Sequence, residues 1–175
     1  MKKILLSFVL IVSISCAAQK NEETAVINAD GYLVGIVNKE SFLQKPFNEW
    51  FNFNYEDYKL NNEVIEKLKP LLKEVTIKAF MGTWCGDSQE QTPVFYKILD
   101  AADFNYNSLE FIAVDRNKST PDNLQEGFEI ERVPTFIFYK EGKEIGRFVE
   151  YPRETVEKDF LKIVSGEPYK HSYED

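Results

Sequence analysis

Cys85 stands in the run Trp84-Cys85-Gly86-Asp87-Ser88, whose residue types suit a nucleophilic thiol. The seven residues before it, Val75 to Met81, are apolar and rich in β-branched types, which reads as a buried strand. After Gly82 and Thr83 the pattern turns helical. A cysteine at a strand-to-helix junction meets unpaired backbone N–H groups and the positive end of the helix, which favour the nucleophilic thiolate. The N–H groups of Gly86 to Ser88 and the Ser88 hydroxyl are expected to hydrogen-bond the sulfur. Asp87 opposes them by like-charge repulsion, and Trp84 is expected to shield one side. Such a thiolate can attack a disulfide and form a mixed disulfide. Ser88 occupies the place from which a second thiol would displace the substrate, so release needs an outside thiol.

Four features at compatible spacings resemble the thioredoxin superfamily. They are the Trp84-Cys85-Gly86 start, Pro93 eight residues after the cysteine, the Val133-Pro134-Thr135 run, and the pattern after it. That pattern is a strand at Phe136–Tyr139, a turn at 140–143, a strand at Glu144–Val149 and a helix from about Arg153 to Val164. Leu109–Asp115 resembles the family's central strand ending in aspartate. The resemblance implies a thioredoxin-like three-layer α/β/α sandwich with a central mixed β-sheet, here carrying an N-terminal β/α extension. It supplies four or five strands with helices on both faces. It also implies that Pro134 is a cis-proline facing Cys85, that Val133 offers its backbone to an extended substrate, and that Thr135 lies beside it. Cys85 and Ser88 take the catalytic positions, supported by Trp84, Gly86, Asp87 and Pro134. Two departures agree physically. The resolving position is Ser88, and the family's buried aspartate six residues before the first cysteine is Ala79. Without a resolving thiol, a buried carboxylate would keep its desolvation cost and lose its role.

Three functions fit these residues. The first is monothiol thiol–disulfide exchange through Cys85, of isomerase or deglutathionylase type, contributing to cell redox homeostasis. The alternative is a redox-inactive module binding extended peptides at the Pro134 loop. A single-cysteine peroxidase is weaker, because Thr83 is two residues before the cysteine and Arg132 is only a candidate activating group. His171, the sole histidine, lies in a charged tail at 167–175 expected to fray, which argues against a Cys-His dyad and a metal site. No cofactor is expected. The partners implied are protein or small-molecule thiols and disulfides. With 29 acidic and 21 basic residues, nucleic-acid binding is disfavoured.

Lys2, Lys3 and the apolar stretch Ile4–Ile14 read as an export signal too short to span a bilayer. Two processing routes stay open. Ser15-Cys16 suits a lipobox, giving a signal peptide at 1–15 and lipidation of Cys16; Cys16-Ala17-Ala18 suits ordinary cleavage after residue 18. The first is favoured, which makes the protein an exported, periplasmic or membrane-anchored lipoprotein of a bacterium. Either route leaves Cys85 as the one free thiol, since the chain has two cysteines. Residues 16–25 read as a flexible tether, 26–72 as an extension packed on the domain, and 73–166 as the thioredoxin-like core. Within the extension, Asp30-Gly31 signals a turn between paired strands. Pro46 suits a helix start, and Trp50, Phe51, Tyr55 and Tyr58 share a helical face that reads as core more than as a binding platform. Asn61–Glu74 reads as a second helix, capped by Asn61 or Asn62, with Val64, Ile65, Leu68, Leu71 and Leu72 inward and Pro70 kinking or restarting it.

Overall fold

The computed structural model describes residues 25–175; the export signal, the Cys16 site and nearly all of the tether lie outside the described residues. Six strands form one sheet in the order β1-β2-β4-β3-β5-β6. β1 (Val26–Ile27) and β2 (Leu33–Val37) form the expected hairpin, turning through Gly31 at a φ of 82° that suits glycine. β2 pairs antiparallel with β4 (Leu109–Ala113), which runs parallel to β3 (Val75–Met81). β5 (Thr135–Lys140) and β6 (Lys143–Val149) complete the sheet as an antiparallel hairpin. The expected four or five strands become six because the hairpin of the extension joins the core's sheet through β4. No described helix is long and apolar enough to cross a membrane.

Strand alternation sorts the core into two clusters. Ile77, Ala79, Met81, Phe111, Phe136 and Phe138 face one side, where they meet residues of α1 (Lys39–Phe42), α2 (Asn48–Asp57), α3 (Asn62–Leu72), α4 (Gly86–Ala101) and α5 (Val156–Ser165). Phe136 stacks there on Phe95 and Phe148, and Phe160 meets Phe95 and Phe148 edge-on. Phe80, Ile112, Val114, Val133 and Ile137 face the other side, against Leu124, Phe128 and Ile130. The fold is thioredoxin-like α/β, but its second outer layer is not helical. A run of turns between β4 and β5 takes that place, with Lys118, Asn123, Gly127 and Glu129 at positive φ. Its apolar residues are too few and too widely spaced for a helical stripe.

The extension is welded to this core. Phe42, Phe47 and Phe51 are buried, and the Phe42 and Phe51 rings both contact Tyr96 of α4. Lys97 of α4 donates to the carbonyls of Tyr55 and Tyr58 at the end of α2, at 2.5 and 2.8 Å, a C-terminal cap supplied from another helix. Phe53 alone of the extension's phenylalanines points outward. Three local expectations are corrected. Pro46 precedes α2 in a turn, with Phe47 as N-cap, instead of opening the helix. α3, capped by Asn61, runs unbroken through Pro70 to Leu72; the proline falls in the last turn, where one missing N–H is cheap beside the burial of Leu68 and Leu72. Residues 167–175 do not fray. Arg153 donates to the carbonyls of His171 and Glu174, and Ser172 to that of Tyr151.

Candidate active site

The turn from β3 into α4 is fixed from every side. The Cys85 N–H donates to the Gly82 carbonyl at 2.9 Å. Thr83 is buried; its hydroxyl accepts from Leu33 N–H of β2 at 3.2 Å, and its carbonyl accepts from the Gln89 amide at 2.8 Å. The Trp84 indole N–H donates to the Val114 carbonyl at 2.9 Å. Gly82 is required by contact: a Cβ there would lie 2.5 Å from the Trp84 ring. β2, β4 and α4 therefore all hold the loop that carries the thiol.

Cys85 is half-buried and is the N-cap of α4, in extended conformation (φ −97°, ψ 127°). Its side chain does not cap the helix, so the N–H groups of Gly86, Asp87 and Ser88 have no intrahelical acceptor. The thiol donates instead to the Val133 carbonyl at 3.2 Å. Val133 precedes Pro134 across a cis peptide bond, so the structure brings the Cys85 loop and the Pro134 loop together as the resemblance implied. Thr135 is placed differently. It is buried, and its hydroxyl donates to the Arg132 carbonyl at 2.7 Å, so it supports the Pro134 loop and does not present itself to a substrate.

Ser88 also departs from expectation. Its side chain is fully buried, and its hydroxyl accepts from the Gly82 N–H at 3.2 Å; it makes no hydrogen bond to Cys85. The first turn of α4 carries it inward beneath the loop. Ala79, fully buried on β3, leaves no carboxylate at its position. Asp87 points to the helical side, lining a groove of about 340 Å³ with Tyr58, Glu90, Tyr151 and Glu154 among others. The Arg132 side chain is engaged away from the role of activating group. It pairs with Glu150 at 3.3 Å and lies 3.8 Å over the Tyr173 ring.

The sequence reading missed Tyr32 and Arg116. Arg116 Nε and Nη2 donate to the Tyr32 hydroxyl at 3.1 and 2.9 Å, and the guanidinium lies 5.4 Å from the Trp84 ring centroid. The three residues come from β2's leading turn, the active-site loop and the segment after β4, a contact between distant segments with no local signal.

A family model described as thioredoxin matches residues 43–161, and the chain belongs to that family. It is 29% identical over 102 residues to Thioredoxin H2 of Arabidopsis thaliana, covering 58% of this chain and 68% of that one. It is 30% identical over 90 residues to a thioredoxin-like protein of Acanthamoeba polyphaga mimivirus, covering 51% and 63%. The matches thus span about two thirds of these relatives' lengths. The crystal structure of a Pseudomonas aeruginosa protein of unknown function shares the fold, with a TM-score of 0.55 at 16% identity over 74% of this chain and 92% of that one. At the level of the family, the chemistry is thiol–disulfide redox exchange on protein thiols and disulfides.

Proposed function

We propose that the protein performs monothiol thiol–disulfide exchange at Cys85. The observation that carries this reading is the make-up of the site: a thiol at the start of α4 opposite the Pro134 loop, with Ser88 and Ala79 where an internal resolving system would stand. Cys85 thiolate attacks one sulfur of a substrate disulfide; a Cys85–substrate disulfide forms and the other substrate sulfur leaves as thiolate. The Ser88 hydroxyl cannot reverse the capture. An external thiolate then attacks the mixed disulfide, takes over the substrate sulfur and returns Cys85 as thiolate. The Val133 N–H has no hydrogen-bond partner among the described residues, which leaves it for an extended substrate backbone. We further propose export through residues 1–15, with Cys16 lipidated, on the strength of the basic start and apolar stretch.

Turnover of a glutathionylated peptide, with reduced glutathione as the external thiol, tests the reading. The wild type should accelerate release of the peptide thiol and Cys85→Ala should not. Equal rates for the two would refute it, and peptide binding that survives in Cys85→Ala would then favour the redox-inactive module.

A further inference from the structure

Resting on the exchange reading, we propose that Arg116 recognises a carboxylate on the disulfide substrate. Four observations converge. Arg116 is exposed, yet two of its N–H groups are fixed on the Tyr32 hydroxyl; a guanidinium has five N–H donors, so three remain for a ligand. It also lies over two rings, 5.3 Å from the Tyr32 centroid and 5.4 Å from that of Trp84, contacts that hold it next to the residue preceding the nucleophile. It has no carboxylate partner among the described residues, in a chain with 29 acidic and 21 basic residues, whereas Arg132 and Arg147 are each paired with a glutamate. Its holder belongs to the extension: Tyr32 is set by its own N–H on Asn28 Oδ1 at 3.0 Å and by the Leu33–Thr83 bond beside it.

An ordered, planar fork with free donors matches a carboxylate in two dimensions and loses less rotamer entropy on binding than a free side chain does. The opposite charge, Asp87, lies on the helical side of the thiol, while Trp84 packs on the helix-free side. The site is therefore polarised, and a substrate carboxylate is attracted on the Arg116 side and repelled on the other. The ligand chemistry is a disulfide whose half bears a carboxylate near the sulfur, as in glutathione disulfide or a peptide cysteine flanked by Asp or Glu.

Single-turnover capture by Cys85 tests this in wild type, Arg116→Gln and Tyr32→Phe. Two aromatic probes are compared: dithiobis(nitrobenzoate), with a carboxylate on each half, and uncharged dithiodipyridine. Arg116→Gln should slow the carboxylate probe about two- to five-fold relative to the neutral one, the range of an exposed ion pair. Tyr32→Phe should show part of that loss. The difference should vanish as ionic strength rises from about 0.01 M to about 1 M, where the screening length shrinks from about 30 to about 3 Å. An unchanged ratio of the two rates overturns the proposal while leaving the exchange reading intact. A folded wild type that captures neither probe overturns both. With the ratio changed, a larger Arg116→Gln effect on glutathione disulfide than on a Glu-flanked peptide disulfide assigns the small thiol, and the reverse assigns the protein substrate.

Discussion

Replacing Ser88 with alanine separates a structural role for this residue from a catalytic one. The side chain is fully buried, and its hydroxyl is the acceptor for the Gly82 N–H at 3.2 Å, beneath the loop that holds Cys85. Alanine keeps the packing and orphans that donor. A buried unsatisfied donor costs about 1–3 kcal/mol. The bond here is longer than the usual N–H···O distance of about 2.9–3.0 Å, so the lower end, about 1–1.5 kcal/mol, is expected. At an m-value of about 2 kcal/mol/M, that lowers the urea midpoint by roughly 0.5–0.8 M. Circular dichroism and tryptophan fluorescence should report the same shift. Capture of a neutral disulfide by Cys85, measured in native buffer, should stay within about two-fold of wild type, a barrier change below roughly 0.4 kcal/mol, because no bond joins Ser88 to the sulfur. An unshifted midpoint with capture slowed about ten-fold or more, roughly 1.4 kcal/mol on the barrier, would refute this reasoning and return Ser88 to the role of thiolate donor.

Ser88→Cys should form an internal disulfide with Cys85 under mild oxidant, seen as loss of both thiols by mass with no adduct; persistence of two free thiols would contradict the equivalence of position 88 with the resolving site. Phe160→Ala should cost about 3–5 kcal/mol, because the fully buried ring touches Phe95, Phe136, Phe138 and Phe148; urea unfolding measures it. Burial pushes the Asp100 carboxyl up, but Lys39, Tyr55 and Tyr106 hydrogen-bond it and together hold it below its ordinary value. A depressed carboxylate adds stability above its unfolded pKa of about 3.9, and that contribution is lost as pH falls through the lower folded value. Asp100→Asn should therefore flatten the acid limb of stability between about pH 5 and pH 2, and an acid limb as steep as that of wild type would exclude this anchor.

The sequence carried the site where its parts are local. Val75–Met81, Gly82, Cys85 and the helix with Pro93 lie in one run, and the structure keeps the bounds of the strand and puts a helix directly after the cysteine. The Pro134 loop came through resemblance, since nothing in spacing alone brings residue 133 within 3.2 Å of a thiol at 85. What sequence could not show are contacts across the fold. Position 88 reads in sequence as a partner of the sulfur, but the first turn of α4 aims its hydroxyl at the Gly82 N–H. Arg116 meets Trp84 because β3 and β4 run parallel side by side, and it meets Tyr32 because β2 joins β4. The docked tail depends on Arg153, which reads as an ordinary solvated cation until the carbonyls of His171 and Glu174 reach it. The helix-free layer was hidden for a similar reason: Leu124, Phe128 and Ile130 cover the sheet without the periodicity that announces a helix.

The central claim is that this fold presents Cys85 as a capturing thiol with no internal route of release. Intact-mass spectrometry of the folded chain after exposure to glutathione disulfide tests it most directly. One glutathione adduct per chain is expected at Cys85, formed faster than in urea-unfolded protein, stable after the excess disulfide is removed and cleared only when an external thiol is added. A folded protein that resists the adduct while its unfolded form accepts it, or an adduct that clears with no thiol present, would contradict capture at Cys85 without internal release.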